Sequence, residues 1–207
     1  MGSPRTLHDK LWDAHQVGRR DDGQALPCID RIVLHEVTSA QAFEGLRAEQ
    51  RALWRRQTRF AVADHQAPTT DRDRGLAGFA DATAQRQGRA LDDNCLTYGV
   101  DQFRLTDARQ GIVHVVGPEQ GVNLPGMSVV CSDSHTSTHG ALAALAQGIG
   151  SSELEHVFAT RCLVQQRSKT LRIDVTGSLG QGISAKDLAL HIPRRLTDPR
   201  TLHPLTP

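Results

Sequence analysis

Short runs of β-branched and other apolar residues alternate along this chain with stretches that have helical spacing. The runs that predict strands are Ile29–Leu34, Phe60–Ala63, Ile112–Val116, Met127–Cys131 and Leu171–Val175. The stretches that predict helices are residues 7–17, 40–46, 75–98, 141–149, 154–164 and 184–192. Because the strands are separated by helices, the sequence predicts an α/β fold with helices on the faces of one sheet.

Composition and charge exclude several classes of protein. The 24 Lys and Arg residues against 23 Asp and Glu leave a formal net charge of +1, which gives no electrostatic attraction for nucleic acid or an anionic membrane. Aromatic residues make up 4% of the chain, so an aromatic stacking surface is not expected. No run approaches the roughly 20 apolar residues that cross a bilayer, and we expect a cytoplasmic protein.

The cysteines are scattered singly along the chain. They are Cys28, Cys95, Cys131 and Cys162, and no two of them form a C-x-x-C pair. This spacing is not typical of a disulfide framework, a zinc site or an iron–sulfur site. We expect these cysteines to be small buried apolar residues.

The C-terminal part of the sequence changes character at Pro193. Residues 184–192 have the pattern of an amphipathic helix, and proline disrupts a helix interior, so we expect the helix to end at Ile192. Residues 193–207 hold four of the nine prolines. The sequence therefore predicts an α/β domain over residues 1–192 and a disordered Pro/Arg-rich tail after it.

Histidine and acidic residues occur at or near predicted strands. Asp64 and His65 follow one strand, Asp133 and His135 follow another, and His114 lies within the most apolar strand. Ligands of open α/β sheets bind beyond the carboxyl ends of the strands. A carboxylate beside an imidazole stabilises the imidazolium ion and fixes the ring tautomer. The sequence therefore predicts an acid–base site at this edge of the sheet.

Each of these groups also has a structural or a different chemical interpretation. An Asp-His pair at a strand end commonly forms a turn, a histidine in an apolar strand is commonly a satisfied core residue, and Asp133–Thr136 is suited to cap a helix. Clustered His and Asp side chains also bind divalent metals. Ser134 and His135 are adjacent and lack a G-x-S-x-G elbow, which argues against a serine hydrolase.

Long segments of the sequence resemble the aconitase superfamily. They are Ile29–Phe43, Gly111–Gly121 and Asp133–Gly140, and the resemblance runs from about Thr6 to Ile192. It implies an aconitase-like α/β domain and a hydro-lyase that moves the hydroxyl of a small hydroxy acid to the adjacent carbon. In this family a 4Fe-4S cluster has one iron without a cysteine ligand, and that iron binds substrate oxygens.

The resemblance assigns catalytic roles to particular residues. Histidines paired with carboxylates handle the proton on the departing hydroxyl. By motif, His65 pairs with Asp64, and His114 pairs with Asp133. The partner of His135 would be an acid that lies outside this chain.

Further residues are assigned to substrate binding. Ser134 would donate a hydrogen bond to a substrate carboxylate, and His35 would help to hold the carboxylates. His35 has an equal structural interpretation as a surface residue at a strand end. Ser132 stands where relatives usually have glycine, and its side chain would crowd the substrate if this position has a positive φ.

The chain departs from the family in its cysteines and its length. The three cysteines that hold the cluster in the family lie downstream of the matched region, so we expect no metal-binding residue in this chain. Relatives in the matching branch are more than twice as long and work with a separate small subunit. We therefore expect a truncated large subunit, with a frameshift or a shortened gene after Ile192, that is inactive alone. The alternatives are a metal-dependent hydrolase or lyase that uses the Asp and His groups directly, and a non-catalytic fragment that binds the small subunit.

Overall fold

A computed structural model describes residues 4–197, which form two compact units that divide between Ser168 and Lys169. None of the described helices is both long and apolar enough to span a bilayer. In chain order the elements are α1 (Leu7–His15), β1 (Gln16–Arg19), β2 (Ala25–Pro27), β3 (Arg31–Leu34), α2 (Ser39–Ala48), β4 (Arg59–Val62), α3 (Ala82–Tyr98), β5 (Asp101–Phe103), α4 (Val113–Glu119), β6 (Ser128–Cys131), β7 (Leu145–Gly148), α5 (Ser151–Thr160) and α6 (Ala185–Thr197). Short 3₁₀ helices cover Arg56–Thr58, Arg72–Gly78 and Ser134–Leu142.

The main sheet of the described chain is parallel throughout and has the strand order β5-β4-β3-β6-β7. A separate antiparallel pair is formed by β1 and β2. The chain moves outward from β3 to β4 and β5, and then returns to the other side of β3 with β6. Such a reversal is a topological switch point, where open α/β sheets bind their ligands. The switch point of this sheet lies between β3 and β6.

Helices cover both faces of the sheet. Successive side chains of a strand point to opposite faces, so one strand contributes to an apolar cluster on each face. In β3, Ile32 and Leu34 belong to the apolar cluster that contains Phe43 of α2. Val33 belongs to the cluster on the other face, which contains Val113 of α4. Each of these side chains is at most 1% exposed. The predicted α/β fold with helices flanking a sheet is therefore confirmed.

Two apolar segments of the first unit fold differently from their prediction. Residues 112–116, predicted as a strand, form the start of α4, because Val113 and Val116 lie three residues apart on its buried face. Residues 141–149, predicted as a helix, contain β7 instead. Ala143 adopts a left-handed conformation with φ of 59° that ends the preceding 3₁₀ helix, and the segment then pairs with β6.

Other predicted helices begin or end at different residues. The helix predicted over 75–98 starts only after Asp81, whose carboxylate accepts a hydrogen bond from the N–H of Ala84 as an N-cap. α5 ends at Thr160 because Arg161 adopts a left-handed conformation with φ of 61°.

The strand predicted over residues 171–175 is absent from the second unit. These residues form no regular element and have no strand partner in the described part of the chain. The side chains of Ile173 and Val175 are exposed. A β-branched run alone does not make a strand, because a strand needs a neighbour for its backbone hydrogen bonds.

The predicted end of the last helix at Ile192 is wrong, since α6 continues through Pro193 to Thr197. The fixed φ of proline is compatible with a helix, and its cost is one lost backbone hydrogen bond and a local clash. The prediction of a disordered tail falls mainly on residues 198–207, which lie outside the described residues. The domain boundary at residue 192 stays a prediction.

The amino ends of the strands carry a buried polar network. The guanidinium of Arg59, at the start of β4, donates hydrogen bonds to the carbonyl oxygens of Val157 (3.1 Å) and Phe158 (2.7 Å) in the last turn of α5. Asp30, before β3, accepts a hydrogen bond from the N–H of Ser128 in β6 at 3.1 Å. Burial lowers the pKa of Arg59 to about 10. This amino-edge network joins α5 and β6 to the rest of the sheet.

Candidate active site

Asp133 follows β6 beside the switch point, and three imidazole rings converge on its carboxylate. The carboxylate oxygens lie 3.0 Å from Nε2 of His65, 3.1 Å from Nε2 of His114 and 3.3 Å from Nδ1 of His135. An ionised carboxylate only accepts hydrogen bonds, so Nε2 of both His65 and His114 carries a hydrogen. The sequence predicts that Asp133 pairs with His114, and the structure adds two further rings.

These contacts keep the carboxylate of Asp133 ionised. Burial by itself would raise the pKa of this carboxyl, but hydrogen bonds outweigh the effect of burial. They come from the backbone N–H of His135, at 2.7 Å, and from the rings of His114 and His65. Together they lower the pKa of Asp133 to about 2. The carboxylate therefore stays ionised over the range in which histidines titrate.

His65 lies between two carboxylates. Its Nδ1 is 2.5 Å from Oδ1 of Asp64, and its Nε2 faces Asp133. Burial would lower the pKa of His65, but the two carboxylates raise it above its ordinary value of 6.5. The pair of Asp64 and His65 predicted from the sequence is therefore present, and its ring favours the cationic form.

Asp64 also positions α4. Its second oxygen, Oδ2, accepts a hydrogen bond from the backbone N–H of Val113 at 2.7 Å. Val113 is the first residue of α4, where backbone N–H groups have no partner within the helix. This contact places His114, the next residue, within reach of Asp133. The predicted pairing of His114 is observed, although its predicted place in a strand is wrong.

Both ring nitrogens of His114 have partners. Nε2 faces Asp133, and Nδ1 lies 3.0 Å from Nε2 of His139. Burial lowers the pKa of His114 despite the nearby carboxylate. Sequence reasoning missed His139, which is 1% exposed. The sequence feature that could have indicated His139 is its spacing of three residues from Thr136, because residues three apart lie on one side of a 3₁₀ helix.

The other residues predicted after β6 are exposed. The side chain of His135 is 68% exposed, and within the described residues its acidic neighbour is Asp133. The acid expected outside this chain stays a prediction. Ser134 lies beside it at the start of the 3₁₀ helix and is exposed as well. Both side chains are therefore open to a ligand.

His35 is buried beneath the site. It is 1% exposed, so its interpretation as a surface residue is wrong. Its ring stacks on that of His65, with centroids 4.0 Å apart and planes 18° apart. Nε2 of His35 lies 3.1 Å from Oγ1 of Thr38. Burial and then the charge on His65 lower the pKa of His35, which favours a neutral ring under a cationic one.

Glu36 is a second residue that sequence reasoning missed. It is fully buried, and its carboxylate accepts hydrogen bonds from the N–H groups of Asp64 (2.9 Å) and Gln66 (2.5 Å). These bonds fix the backbone on both sides of His65. The available signal was its place directly after His35 at the end of β3.

One group of side chains in the described chain is compact enough to be considered for a metal ion. Ligand atoms of His35, Glu36, Asp64 and His65 lie within 4.8 Å of one another. Both oxygens of Glu36 already accept backbone N–H groups, and Asp64 bonds to Val113 and to His65. Since the acidic oxygens have partners, the group is a hydrogen-bonded support for His65.

Ser132, where the resemblance predicts a glycine, has no backbone strain. It is not among the residues with a positive φ, so the predicted crowding from a left-handed backbone does not arise. Its hydroxyl is buried and has no hydrogen-bond partner among residues 4–197.

A cavity of about 550 Å³ opens over the rings. Its polar lining includes His65, His135 and Asp133, and its apolar lining includes Ile112 and Leu142. Binding sites for small molecules usually have volumes of about 300–1,000 Å³ and a few convergent polar groups. The cavity therefore has the size and the mixed polar and apolar lining of a small-molecule site.

The cysteines do not fit an iron–sulfur cluster. Cys95 and Cys131 belong to the apolar clusters on opposite faces of the sheet, and burial raises the pKa of both thiols. Cys28 and Cys162 are half-buried neighbours in a β-bridge before β3, at the other edge of the sheet from Asp133. A cluster needs several thiolates on one surface, and the described residues do not provide them.

Comparison with known proteins identifies the family. The model of the aconitase family (aconitate hydratase) matches residues 9–202, and the chain belongs to this family. It is 57% identical over 190 residues to the 3-isopropylmalate dehydratase large subunit of Psychrobacter cryohalolentis, and 56% identical over 190 residues to that of Psychrobacter arcticus. Each match covers 91% of this chain and 40% of the relative, so the chain spans about 40% of the length of these relatives.

Proposed function

We propose that this chain forms one wall of the active site of a 3-isopropylmalate dehydratase. This hydro-lyase interconverts 2- and 3-isopropylmalate through 2-isopropylmaleate in leucine biosynthesis, which we place in the cytoplasm. The observation that carries the proposal is the convergence of His65, His114 and His135 on Asp133 at the switch point. The names of both relatives support the choice of substrate.

The proposed chemistry needs one proton for the hydroxyl that leaves. Dehydration breaks a C–O bond and the C–H bond on the adjacent carbon, so the hydroxyl gains a proton and the carbon loses one. His65 holds a proton between Asp64 and Asp133 and is suited to give it to the departing hydroxyl. In the rehydration step the neutral ring takes a proton back from water. We assign removal of the carbon-bound proton to a base of the small subunit.

The substrate carboxylates are assigned to the exposed side of the wall. Ser134 is exposed beside Asp133 and would donate a hydrogen bond to a carboxylate oxygen, while the exposed His135 is assigned, with His65, to handling the proton. Ile112 and Leu142 line the same cavity and would contact the isopropyl group. His35 is buried below His65, so its proposed part in binding is indirect.

The iron–sulfur cluster of the family is assigned to the part of the relatives that this chain does not span. Bound there, the cluster would supply Lewis acidity to the substrate hydroxyl. The small subunit is the proposed partner. Since the cysteines of this chain do not fit the cluster, we expect no turnover from the purified chain, with or without the small subunit. Measured iron content and dehydration of 3-isopropylmalate test this expectation, and robust turnover would refute it.

A chimera tests the proposed wall itself. Residues 9–192 of this chain replace the matching segment of the P. cryohalolentis large subunit, which is then assembled with its small subunit and loaded with the cluster. We expect isopropylmalate turnover, and we expect His65→Ala to reduce kcat by a factor of about 10²–10⁴, the usual contribution of a general acid. The exposed variant Glu44→Gln is the control. A folded, loaded chimera without turnover would overturn the proposal. Stoichiometric zinc or manganese in the purified chain, lost on His65→Ala, would favour the metal-dependent alternative.

A further inference from the structure

His139 is the buried partner of an active-site ring, and the function proposed above gives it no role. It lies on the 3₁₀ helix that follows Asp133 and is 1% exposed. Its Nε2 is 3.0 Å from Nδ1 of His114, and the two rings meet edge to face with centroids 5.1 Å apart. A distance of 3.0 Å between two ring nitrogens requires one hydrogen between them.

The position of that hydrogen follows from Asp133. Its ionised carboxylate can only accept, so the hydrogen of a neutral His114 lies on Nε2, which faces Asp133 at 3.1 Å. Nδ1 of the same ring is then a bare acceptor. The hydrogen between the two rings must therefore come from Nε2 of His139.

The backbone around Asp133 holds His139 in place. The carbonyl oxygen of Asp133 accepts a hydrogen bond from the hydroxyl of Thr136 at 2.6 Å. Thr136 is fully buried and lies three residues before His139 in the same 3₁₀ helix. The carboxylate that fixes one side of His114 and the ring that fixes the other side thus belong to one short segment.

We propose that His139 is a positioning residue that donates to Nδ1 of His114, so that together with Asp133 it fixes the Nε2–H tautomer and prevents a ring flip. The consequence for catalysis rests on the function proposed above. With both nitrogens engaged, His114 serves as a permanent hydrogen-bond donor to Asp133, and the proton that moves during the reaction is left to His65 and His135. Burial lowers the pKa of His114 and of His139, which favours the neutral pair that this arrangement requires.

Long-range ¹H–¹⁵N NMR of the histidine rings tests the proposal in the chain as it exists, without substrate or iron. In the unchanged protein at neutral pH, we expect both His114 and His139 to show one protonated nitrogen, Nε2, and one bare nitrogen, Nδ1. A hydrogen on Nδ1 of His139 with none on Nε2 would overturn the proposal. Since this measurement needs no variant, it stands even if a substitution at residue 139 prevents folding.

Two substitutions separate positioning from packing. His139→Met fills similar space without a donor, and we expect the resonances of His114 to change from one tautomer to a mixture of two. His139→Gln keeps an N–H donor, and we expect it to restore the single tautomer. If His114 keeps one unchanged tautomer in a folded His139→Met protein, the proposal is wrong. Absence of isopropylmalate turnover in the chimera would leave these ring states unaffected, so the two proposals fail separately.

Discussion

The two edges of the sheet each carry a polar network, but the networks use different partners. At the amino edge, Arg59 bonds to main-chain carbonyl oxygens of α5. At the carboxyl edge, the rings of His65 and His114 bond to the side chain of Asp133, and a cavity opens above them. A side chain bonded to the backbone holds elements together. Side chains bonded to one another, with one face open, can exchange protons with a ligand.

The difference shows that the amino edge of this sheet serves stability, whereas the carboxyl edge carries groups suited to acid–base chemistry. The titratable groups of the carboxyl edge have pKa values shifted in opposite directions, upward for His65 and downward for Asp133 and His114. Opposed shifts in neighbouring groups are typical of acid–base sites. The amino edge instead has a guanidinium that stays charged near neutral pH, because its lowered pKa is still about 10.

The largest expected effect concerns stability at the amino edge. Arg59→Met removes a buried guanidinium that donates to the carbonyl oxygens of Val157 and Phe158 in α5 and of Arg55 before β4. We expect the loss of these bonds to lower the free energy of unfolding by about 3 kcal/mol. Urea denaturation measures the change. The control is Arg51→Met, which removes an exposed guanidinium and should cost less than about 0.5 kcal/mol. If the two substitutions lower the free energy of unfolding equally, the amino-edge network makes no special contribution to stability.

A smaller effect is expected for Glu36, which supports the carboxyl edge. Glu36→Gln replaces one accepting oxygen with an NH₂ group that faces a backbone N–H, so we expect a loss of about 2 kcal/mol. Hydrogen exchange at the amides of Asp64 and Gln66 should accelerate. The matched control is Glu44→Gln on the surface of α2. Unchanged protection of both amides would show that Glu36 does not hold this loop.

The pH dependence of stability isolates the charge on Asp133. Its pKa of about 2 in the folded chain lies below the usual 3.8, so its contribution is present above about pH 4 and is lost as the pH falls toward 2. We expect Asp133→Asn to remove about 1 kcal/mol of this acid sensitivity, since solvent screens part of the interaction. Asn keeps the N-cap oxygen for His135. Urea midpoints between pH 5 and pH 2.5 measure the difference, with the exposed Asp174→Asn as control. Parallel profiles for the chain and Asp133→Asn would contradict the lowered pKa.

The smallest effect is expected at Ser132. Its buried hydroxyl lacks a partner, so Ser132→Ala should raise the free energy of unfolding by about 0.5 kcal/mol. Thermal denaturation compares it with Ser137→Ala on the exposed side of the adjacent 3₁₀ helix. A loss of stability in Ser132→Ala alone would show that the hydroxyl has a partner in solution.

The sequence predicts the central strands well because their apolar runs match what a parallel sheet buries. Each run around β3, β4 and β6 ends in a polar residue, which also locates the site. Residues 112–116 mislead because a short apolar run is compatible with a strand or a buried helix. The contact between Asp64 and Val113, 49 residues apart, favours the helix, and no local pattern reports it.

The site is predictable only as far as its chemistry follows from adjacent residues. The pair of Asp64 and His65 is visible because the residues are neighbours in sequence. Glu36 and His139 are not, since their roles depend on contacts across 25 or more residues. The meeting of three rings on Asp133 likewise depends on the strand order, which brings β4 and β6 to either side of β3.

An NMR titration of the His65 ring in the unchanged chain and in Asp133→Asn tests most directly whether the site converges on Asp133. We expect His65 in the unchanged chain to titrate above pH 6.5, the ordinary value, and to titrate at lower pH in the variant because one of its two carboxylates is gone. The exposed His156 serves as the control ring. Identical titration of His65 in both proteins would contradict the convergence of the rings on Asp133.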